Sequence, residues 1–418
     1  MTNTGELASE AMIKRFSGGL KFKTISRSDY KSADFSEFEG FISYLQKSYP
    51  LVFKKTEFKR VNNYALLFKV KGSESGEDAQ KPVILIAHYD VVPVGKEENW
   101  KYPPFSGHFD GEYFRGRGAL DNKASLFATM EALNSLLESG FVPKRDIYIA
   151  FSQDEEVGGA QGAEHIVKYL SAQGVHLDHV LDEGGRITQV KGKTVALVGT
   201  GEKGRLVARI TVSAKGGHAS VPNENSSVEK LAKLITAFQK NHMGSPFASR
   251  KDPEKYAKTH TTLAITMLEG SNAWNVVPKE ASFTVDSRIL PSQSTDDVKK
   301  HIEKVIDKTF KGSGRRNVKV EYLTEVEPSR TSDVNSQSFK NLAAKIEKFY
   351  PDARVEPFLS LGATDARTYG QIADNAYRFL PAIISDEDHG LMHADNEKIS
   401  LKNYSAMINF YKDYLESF

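Results

Sequence analysis

Seven side chains in this sequence have the types that hold a divalent ion without sulfur: His88, Asp121, Glu155, Glu156, Asp182, Glu183 and His393. Most of them follow an apolar run directly. His88-Tyr89-Asp90 follows Val83 to Ala87, Glu155-Glu156 comes shortly after Ile147 to Phe151, and Asp182-Glu183 ends the short run from His179. An open α/β sheet gathers such side chains at the C-terminal ends of its strands, around one crevice. A mixed His and carboxylate set suits zinc or another divalent ion, and a surplus of acids suits a pair of ions sharing one carboxylate. A single acid at a strand end is ordinarily a solvated cap. Several in one sheet would require a series of coincidences.

The elements that must position these groups are legible from periodicity. Residues 6 to 49 carry a helical pattern with Phe35, Phe38, Phe41, Ile42 and Leu45, and Tyr64 to Val70 reads as a strand ahead of a polar turn at 72–80. Val83 to Ala87 is the central buried strand. Asp121 stands just before a helix whose Leu126, Met130, Leu133 and Leu137 share one face and whose stop is Gly140. Strand Ile147 to Phe151, a helix near Ala163 to Leu170 and strand His179 to Leu181 continue the alternation, which predicts a doubly wound α/β sheet.

Near residue 202 the pattern changes. A one-sided strand over Arg205 to Ala214 is followed by a helix with Val228, Leu231, Leu234, Ile235 and Phe238 on one face. Strands Thr261 to Leu268 and Ala281 to Leu290, a helix from Val298 to Phe310 and strand Val318 to Leu323 come next. That β-α-β-β-α-β order is the ferredoxin-like split unit. Helix Phe339 to Tyr350, loop Leu361 to Arg367, strand Tyr377 to Ile384 and helix Leu401 to Phe418 return to α/β character. The expected organisation is a catalytic domain made of residues 1–201 and 325–418, interrupted by an α+β domain over 202–324.

Composition removes several function classes. The 418 residues carry 56 basic and 54 acidic side chains for a formal net charge of +2, which is no polyanion-binding signature and argues against nucleic acid. There are no cysteines, so thiolate metal sites, disulfides and a cysteine nucleophile are excluded. No apolar run reaches membrane-spanning length. The first residues, Met1 to Glu6, lack a signal-peptide pattern, so the expected location is the cytoplasm, or the periplasm or exterior if a leader has been removed. Gly199-Thr200-Gly201-Glu202-Lys203-Gly204 fits a dinucleotide fingerprint, but the period-two strand after it supplies no helix N-terminus for a pyrophosphate.

The motifs His88-Tyr89-Asp90-Val91-Val92-Pro93-Val94, Trp100 through Pro104, Gly116-Arg117-Gly118 with Asp121, Asp154-Glu155-Glu156-Val157-Gly158-Gly159, Leu181-Asp182-Glu183-Gly184, Gly217-His218-Ala219-Ser220 and His393 with Asn396-Glu397 run through nearly the whole chain. In types and order they resemble the aminoacylase and carboxypeptidase S family of two-zinc exopeptidases and amide deacylases. That family also includes carboxypeptidase G, acetylornithine deacetylase and succinyl-diaminopimelate desuccinylase. The resemblance implies a zinc-exopeptidase catalytic domain with an inserted lid and dimerisation domain, two Zn2+ replaceable by Co2+ or Mn2+, and a homodimer formed through the lid.

It also implies roles. His88 would bind one zinc, with Asp90 fixing its tautomer, and Asp121 would bridge both ions with a cis peptide bond directly after it. Glu156 and His393 would bind the second zinc. Either Asp182 or Glu183 would complete the first set, and the spacing from Glu155 matches the aminoacylases with Glu183. Glu155 would be the general base, since two adjacent glutamates cannot both point at one atom. His218 would reach the partner subunit's site and stabilise the oxyanion. Asn275, Arg288 and Gly362 would contact substrate, Arg288 through a free carboxylate.

The expected function is hydrolysis of the amide bond of small peptides, carboxypeptidase fashion, or of N-acyl amino acids, through a metal-bound hydroxide. A narrow N-acetyl or N-succinyl amino acid deacylase is the alternative, and a non-catalytic binding protein on the same fold a distant one.

Overall fold

The computed structural model describes residues 6–74, 76, 79–243 and 252–418. The N-terminal residues 1–5 and part of the polar turn expected at 72–80 lie outside the described residues. The chain divides into two units. One comprises the residues up to Thr200, Ser332–Phe358 and Thr364–Phe418, and the other comprises Gly201–Thr331 and Leu359–Ala363.

In the first unit the strands Val83–His88 and Ile147–Ser152 are buried along their whole length. With Leu177–Asp182 and Ala373–Arg378 they form the parallel centre of a nine-stranded sheet. Glu57–Val61 and Ala65–Val70 add antiparallel on one side. Lys193–Glu202, paired with Arg186–Val190, and Arg354–Ser360 complete the other. Alternate residues of each central strand enter different cores, as the two-residue repeat of a strand requires. Leu85, Ala87, Ile149 and Phe151 pack among the helices Glu10–Gly19, Phe35–Ser48, Lys123–Glu138, Gln337–Phe349 and Leu401–Glu416. Ile84, Ile86, Tyr148 and Ala150 pack on the opposite face, against Ala163–Ala172 and Ala366–Tyr369. Helices on both faces of a mostly parallel sheet make this an α/β doubly wound unit.

Several elements depart from the sequence reading. The helical pattern of residues 6–49 is two helices, Glu10–Gly19 and Phe35–Ser48, separated by an irregular connection that includes the short 3-10 helix Tyr30–Ser32. The strands Glu57–Val61, Arg186–Val190 and Arg354–Ser360 were not expected, because short strands at the sheet's margins carry little hydrophobic signal, and neither was the ten-residue strand Lys193–Glu202, which lies inside the sheet. The strand expected over Tyr377 to Ile384 instead spans Ala373–Arg378. Pro381, which cannot donate to a ladder, lies in the part that leaves the sheet. Gly199 to Gly204 lies in and between extended strands, and no helix follows it.

One buried ion pair ties the helical layer together. Arg15 donates to both carboxylate oxygens of Glu131 at 2.7 and 2.6 Å, and the Tyr49 hydroxyl donates to the same group at 2.7 Å. Glu131→Ala strands these donors and is expected to destabilise the fold by roughly 3 kcal/mol, at the lower end for a buried pair, because 25% of the Arg15 side chain is exposed. A lowered guanidinium midpoint with an unchanged m-value checks this.

The second unit is a four-stranded antiparallel sheet in the order Thr262–Glu269, Glu280–Ile289, Gly204–Ser213, Val318–Val326. Its helices Ser227–Lys240 and Thr295–Thr309 each begin with a capping box, Ser226 with Glu229 and Ser294 with Asp297. Leu206, Ala208, Ile210 and Val212 alternate into their shared core. Strand order and connections are those of the ferredoxin-like split unit. No helix among the described residues is long and apolar enough to cross a membrane.

Candidate metal centre

Register places the chemistry. Parallel pairing aligns His88 with Ser152 and Leu85 with Leu181, so two strands end level and the third, Leu177–Asp182, ends close to them on the same side of the sheet. At or just beyond those ends stand Asp90, Glu155, Glu156, Asp182 and Glu183. Asp121 arrives from a different direction, at the start of the helix Lys123–Glu138, and the bond between Asp121 and Asn122 is cis, as the resemblance implies. The loop before it needs glycine: Gly116 has φ 146°, and a Cβ there would meet the Pro104 carbonyl oxygen at 2.6 Å.

The side chains converge on Asp121. Its Oδ1 lies 3.0 Å from His88 Nε2, and its Oδ2 lies 2.9 Å from His393 Nε2. Glu183 stands 3.1 Å from His88 Nε2 and Glu156 stands 3.1 Å from His393 Nε2, so each histidine is flanked by its own acid and one oxygen of Asp121. Glu155 lies farther off, 3.9 Å from His88 Nε2. His88 Nδ1 is 3.1 Å from the Asp90 carbonyl oxygen and 3.3 Å from its carboxylate, so an Nδ1–H tautomer leaves Nε2 free to ligate. The Asp90 carboxylate also accepts the backbone N–H groups of Glu155 and Glu156 at 3.2 Å each, which orients the two neighbouring glutamates.

Asp182 is turned away from this group. Its oxygens accept the N–H groups of Glu183 and Ala366 at 2.8 Å each, so of the two adjacent acids Glu183 is the one at His88.

The electrostatics fit divalent cations. Burial opposes a charge on His88, but Glu183, Asp121 and Asp90 outweigh it and hold the imidazole protonated well above its ordinary range. Hydrogen bonds to Asp121 and Glu156 push His393 up to about 10. Burial would raise Asp121, yet His393 and His88 hold it well below the carboxylate range. Glu155 and Glu183 are pushed well above theirs, chiefly by burial, with neighbouring acids adding to it and His88 opposing it. A site that retains protons on imidazoles and drives them onto buried acids is short of positive charge, and divalent ions release such protons on binding. Glu156 Oε1 is buried without a hydrogen-bond partner among the described residues, an acceptor left for a cation. His88, Asp121 and Glu156, and likewise His88, Glu155 and Glu183, offer ligand atoms within 4.8 Å of one another.

The remaining predicted residues lie in the second unit. His218 is exposed on a two-residue strand paired with Val276–Val277, and the Asn275 carbonyl accepts the Ala219 N–H at 2.9 Å. His218 Nδ1 accepts the Ser220 N–H at 3.1 Å, which leaves Nε2 as the donor of the neutral ring. Arg288 donates from Nε to Asp286 at 3.0 Å, and Gly362 is exposed in the segment Leu359–Ala363.

Two further buried acids, Glu397 and Asp365, make contacts for which the sequence reading assigned no role. Asp365 accepts a hydrogen bond from the Ser152 hydroxyl, beside the end of the central strands, within a loop of small residues that carries no periodic signal. Burial, reinforced by Asp182 and Asp154, pushes its carboxyl up to about 8. Between its unfolded value of about 4 and about 8, the folded protein keeps a proton that the unfolded chain has lost, so this group costs more stability as pH rises. Asp365→Asn should therefore gain stability relative to the native chain from pH 5 to pH 8, which denaturant titrations of the metal-free protein at both pH values would check.

Residues 84–417 match the model of peptidase family M20/M25/M40. A probable carboxypeptidase S-like 2 of Dictyostelium discoideum is 32% identical, over 96% of this chain and 83% of its own length. The N-fatty-acyl-amino acid synthase/hydrolase PM20D1.1 of Danio rerio is 30% identical, over 98% of this chain and 86% of its own. Among solved structures, the M20 family metallo-carboxypeptidase Sso-CP2 of Sulfolobus solfataricus shares the fold with a TM-score of 0.70 at 20% identity, covering 98% of this chain and 99% of its own. With a match over most of its length and relatives aligned nearly end to end, the chain belongs to peptidase family M20/M25/M40 and is a metal-dependent hydrolase of amide bonds.

Proposed function

We propose that this hydrolase removes a C-terminal amino acid from small peptides or cleaves N-acyl amino acids, with two zinc ions and Glu155 as general base. The observation that carries the reading is Asp121, whose two oxygens face two different histidines at 3.0 and 2.9 Å. His88, Glu183 and Asp121 would hold one ion and His393, Glu156 and Asp121 the other, and Co2+ or Mn2+ would substitute. When bound, such ions polarise the scissile carbonyl and lower the pKa of water. Glu155 takes a proton from the attacking water and returns it to the leaving amine, and its position beside His88 rather than between the histidines supports this division from Glu156.

The second unit acts as lid and dimerisation domain in this reading. Exposed Met267 and Leu268 on its edge strand support pairing with a second copy. His218, with Nε2–H free to donate, stabilises the developing oxyanion from the partner subunit. Asn275 and Arg288 contact the substrate, Arg288 through its free carboxylate, and Gly362 lines the pocket. The relatives named carboxypeptidase S-like and N-fatty-acyl-amino acid synthase/hydrolase support both substrate classes.

A colorimetric amide-release screen over dipeptides and N-acyl amino acids of increasing acyl length tests this, with and without added Zn2+. Zinc-dependent release of a free amino acid is expected. Absence of release from every member by the zinc-loaded protein would overturn the reading.

A further inference from the structure

Glu397 is fully buried, and its carboxylate accepts four donors. Oε1 accepts the backbone N–H groups of Leu120 at 2.7 Å and Asp121 at 3.0 Å. Oε2 accepts Arg117 Nη1 at 2.6 Å and the Gly118 N–H at 3.1 Å. The Glu397 carbonyl accepts the Gly116 N–H at 3.0 Å, continuing the antiparallel pairing of Lys398–Ser400 with Tyr113–Arg115. The whole loop before Asp121 is thus wrapped around one carboxylate.

That carboxylate belongs to the same short segment as His393. The segment is fixed at its other side too: Asn396 Oδ1 accepts the Lys101 N–H at 2.6 Å and its Nδ2 donates to the Asn99 carbonyl at 3.1 Å. Arg117, the partner of Glu397, lies with its guanidinium 5.3 Å from the centre of the Trp100 ring. A buried ion pair contributes little to stability compared with well-packed apolar residues, so its presence calls for a specific task. The hydrogen bonds name that task, because they join the Asp121 backbone to the chain that carries His393.

We propose that Glu397 is a positioning residue of the metal centre: by holding the Gly116–Asp121 loop against the His393–Glu397 segment, it makes Asp121 and His393 face the same ion. The inference rests on Asp121 and His393 being metal ligands. It separates the two ion sites. Displacing the loop and the segment moves two ligands of the His393 site, and only one of the His88 site, whose other ligands stand on the central sheet.

The test compares two double variants that both remove the buried charges. Arg117→Met/Glu397→Gln keeps an oxygen for the Leu120 and Asp121 N–H groups, and Arg117→Met/Glu397→Met does not. Metal-free protein is titrated with Zn2+ alone in a calorimeter, and amide hydrogen exchange is followed at Leu120 and Asp121. The Gln variant should bind two ions with affinities within about threefold of the native protein. The Met variant should lose roughly 10- to 100-fold in affinity for one ion, the ion that His393→Ala also loses, with faster exchange at both amides. Equal Zn2+ affinities in the two double variants would overturn the proposal. If the Met variant does not fold, the Gln variant decides alone: a weakened second ion there, with the acceptor retained, overturns the proposal, and two native affinities support it. Failure of the ligand reading looks different, because His393→Ala would then bind Zn2+ like the native chain while amide exchange still reports the clamp.

Discussion

Glu155→Gln is expected to retain its full metal content while kcat falls by about 100- to 10,000-fold, the usual contribution of a positioned general base. The substitution preserves volume and removes only the ability to take a proton. The acids at closest range to the two histidines, Glu183 and Glu156, remain in place, as does Asp121 between them. The Glu155 N–H is held by Asp90 at 3.2 Å, so the backbone that carries the amide stays where it was. Elemental analysis of the purified variant and steady-state kinetics on the best substrate give the two readouts. Near-native turnover would remove Glu155 from the role of base, and loss of one ion per chain would reassign it as a ligand.

Asp121→Ala should be the most damaging single substitution for metal binding. Removal of Glu156 or Glu183 takes one acid from one histidine, whereas removal of the Asp121 carboxylate takes an oxygen from each of His88 and His393 at once. Both ion affinities should therefore fall together in a Zn2+ titration, and excess zinc should restore Glu156→Ala more readily than Asp121→Ala. Lewis-acid stabilisation by bound ions is worth several kcal/mol, so turnover at limiting zinc should drop by roughly 1,000-fold or more. Loss of one ion with native affinity for the other would show that Asp121 serves a single site. The Arg117→Met/Glu397→Met variant should be milder than Asp121→Ala, since it displaces this carboxylate without deleting it.

The candidate ligands and the central strands were legible in the chain for one physical reason. Strands buried on both faces read as unbroken apolar runs, and side chains that leave such runs at their C-terminal ends cannot avoid the crevice above the sheet. His88, Glu155, Glu156 and the Asp182-Glu183 pair carry that mark, and Asp121 carries the complementary one of standing before a strongly periodic helix. The alternation of the second unit's strands and the amphipathic faces of its helices likewise made the ferredoxin-like order readable.

Other features depended on partners distant in sequence. Asp182 and Glu183 are neighbours with the same strand-end signal, and what separates them is that the Ala366 N–H, arriving from far along the chain, occupies Asp182. The short edge strands draw their pairing from the sheet and not from their own composition. Arg288 looks suited to a carboxylate by type, and only the folded strand shows Asp286 already beside it. Glu397 is marked in the chain only by its place in the His393 motif, and folding alone surrounds it with four donors. By itself the sequence determined the α/β sheet, a set of candidate metal-binding side chains and the order of the second unit, because burial and strand ends leave periodic marks in a chain. The tertiary structure alone decided which acids face which histidine and what holds Asp121 in place, because those depend on single hydrogen bonds between residues up to hundreds of positions apart.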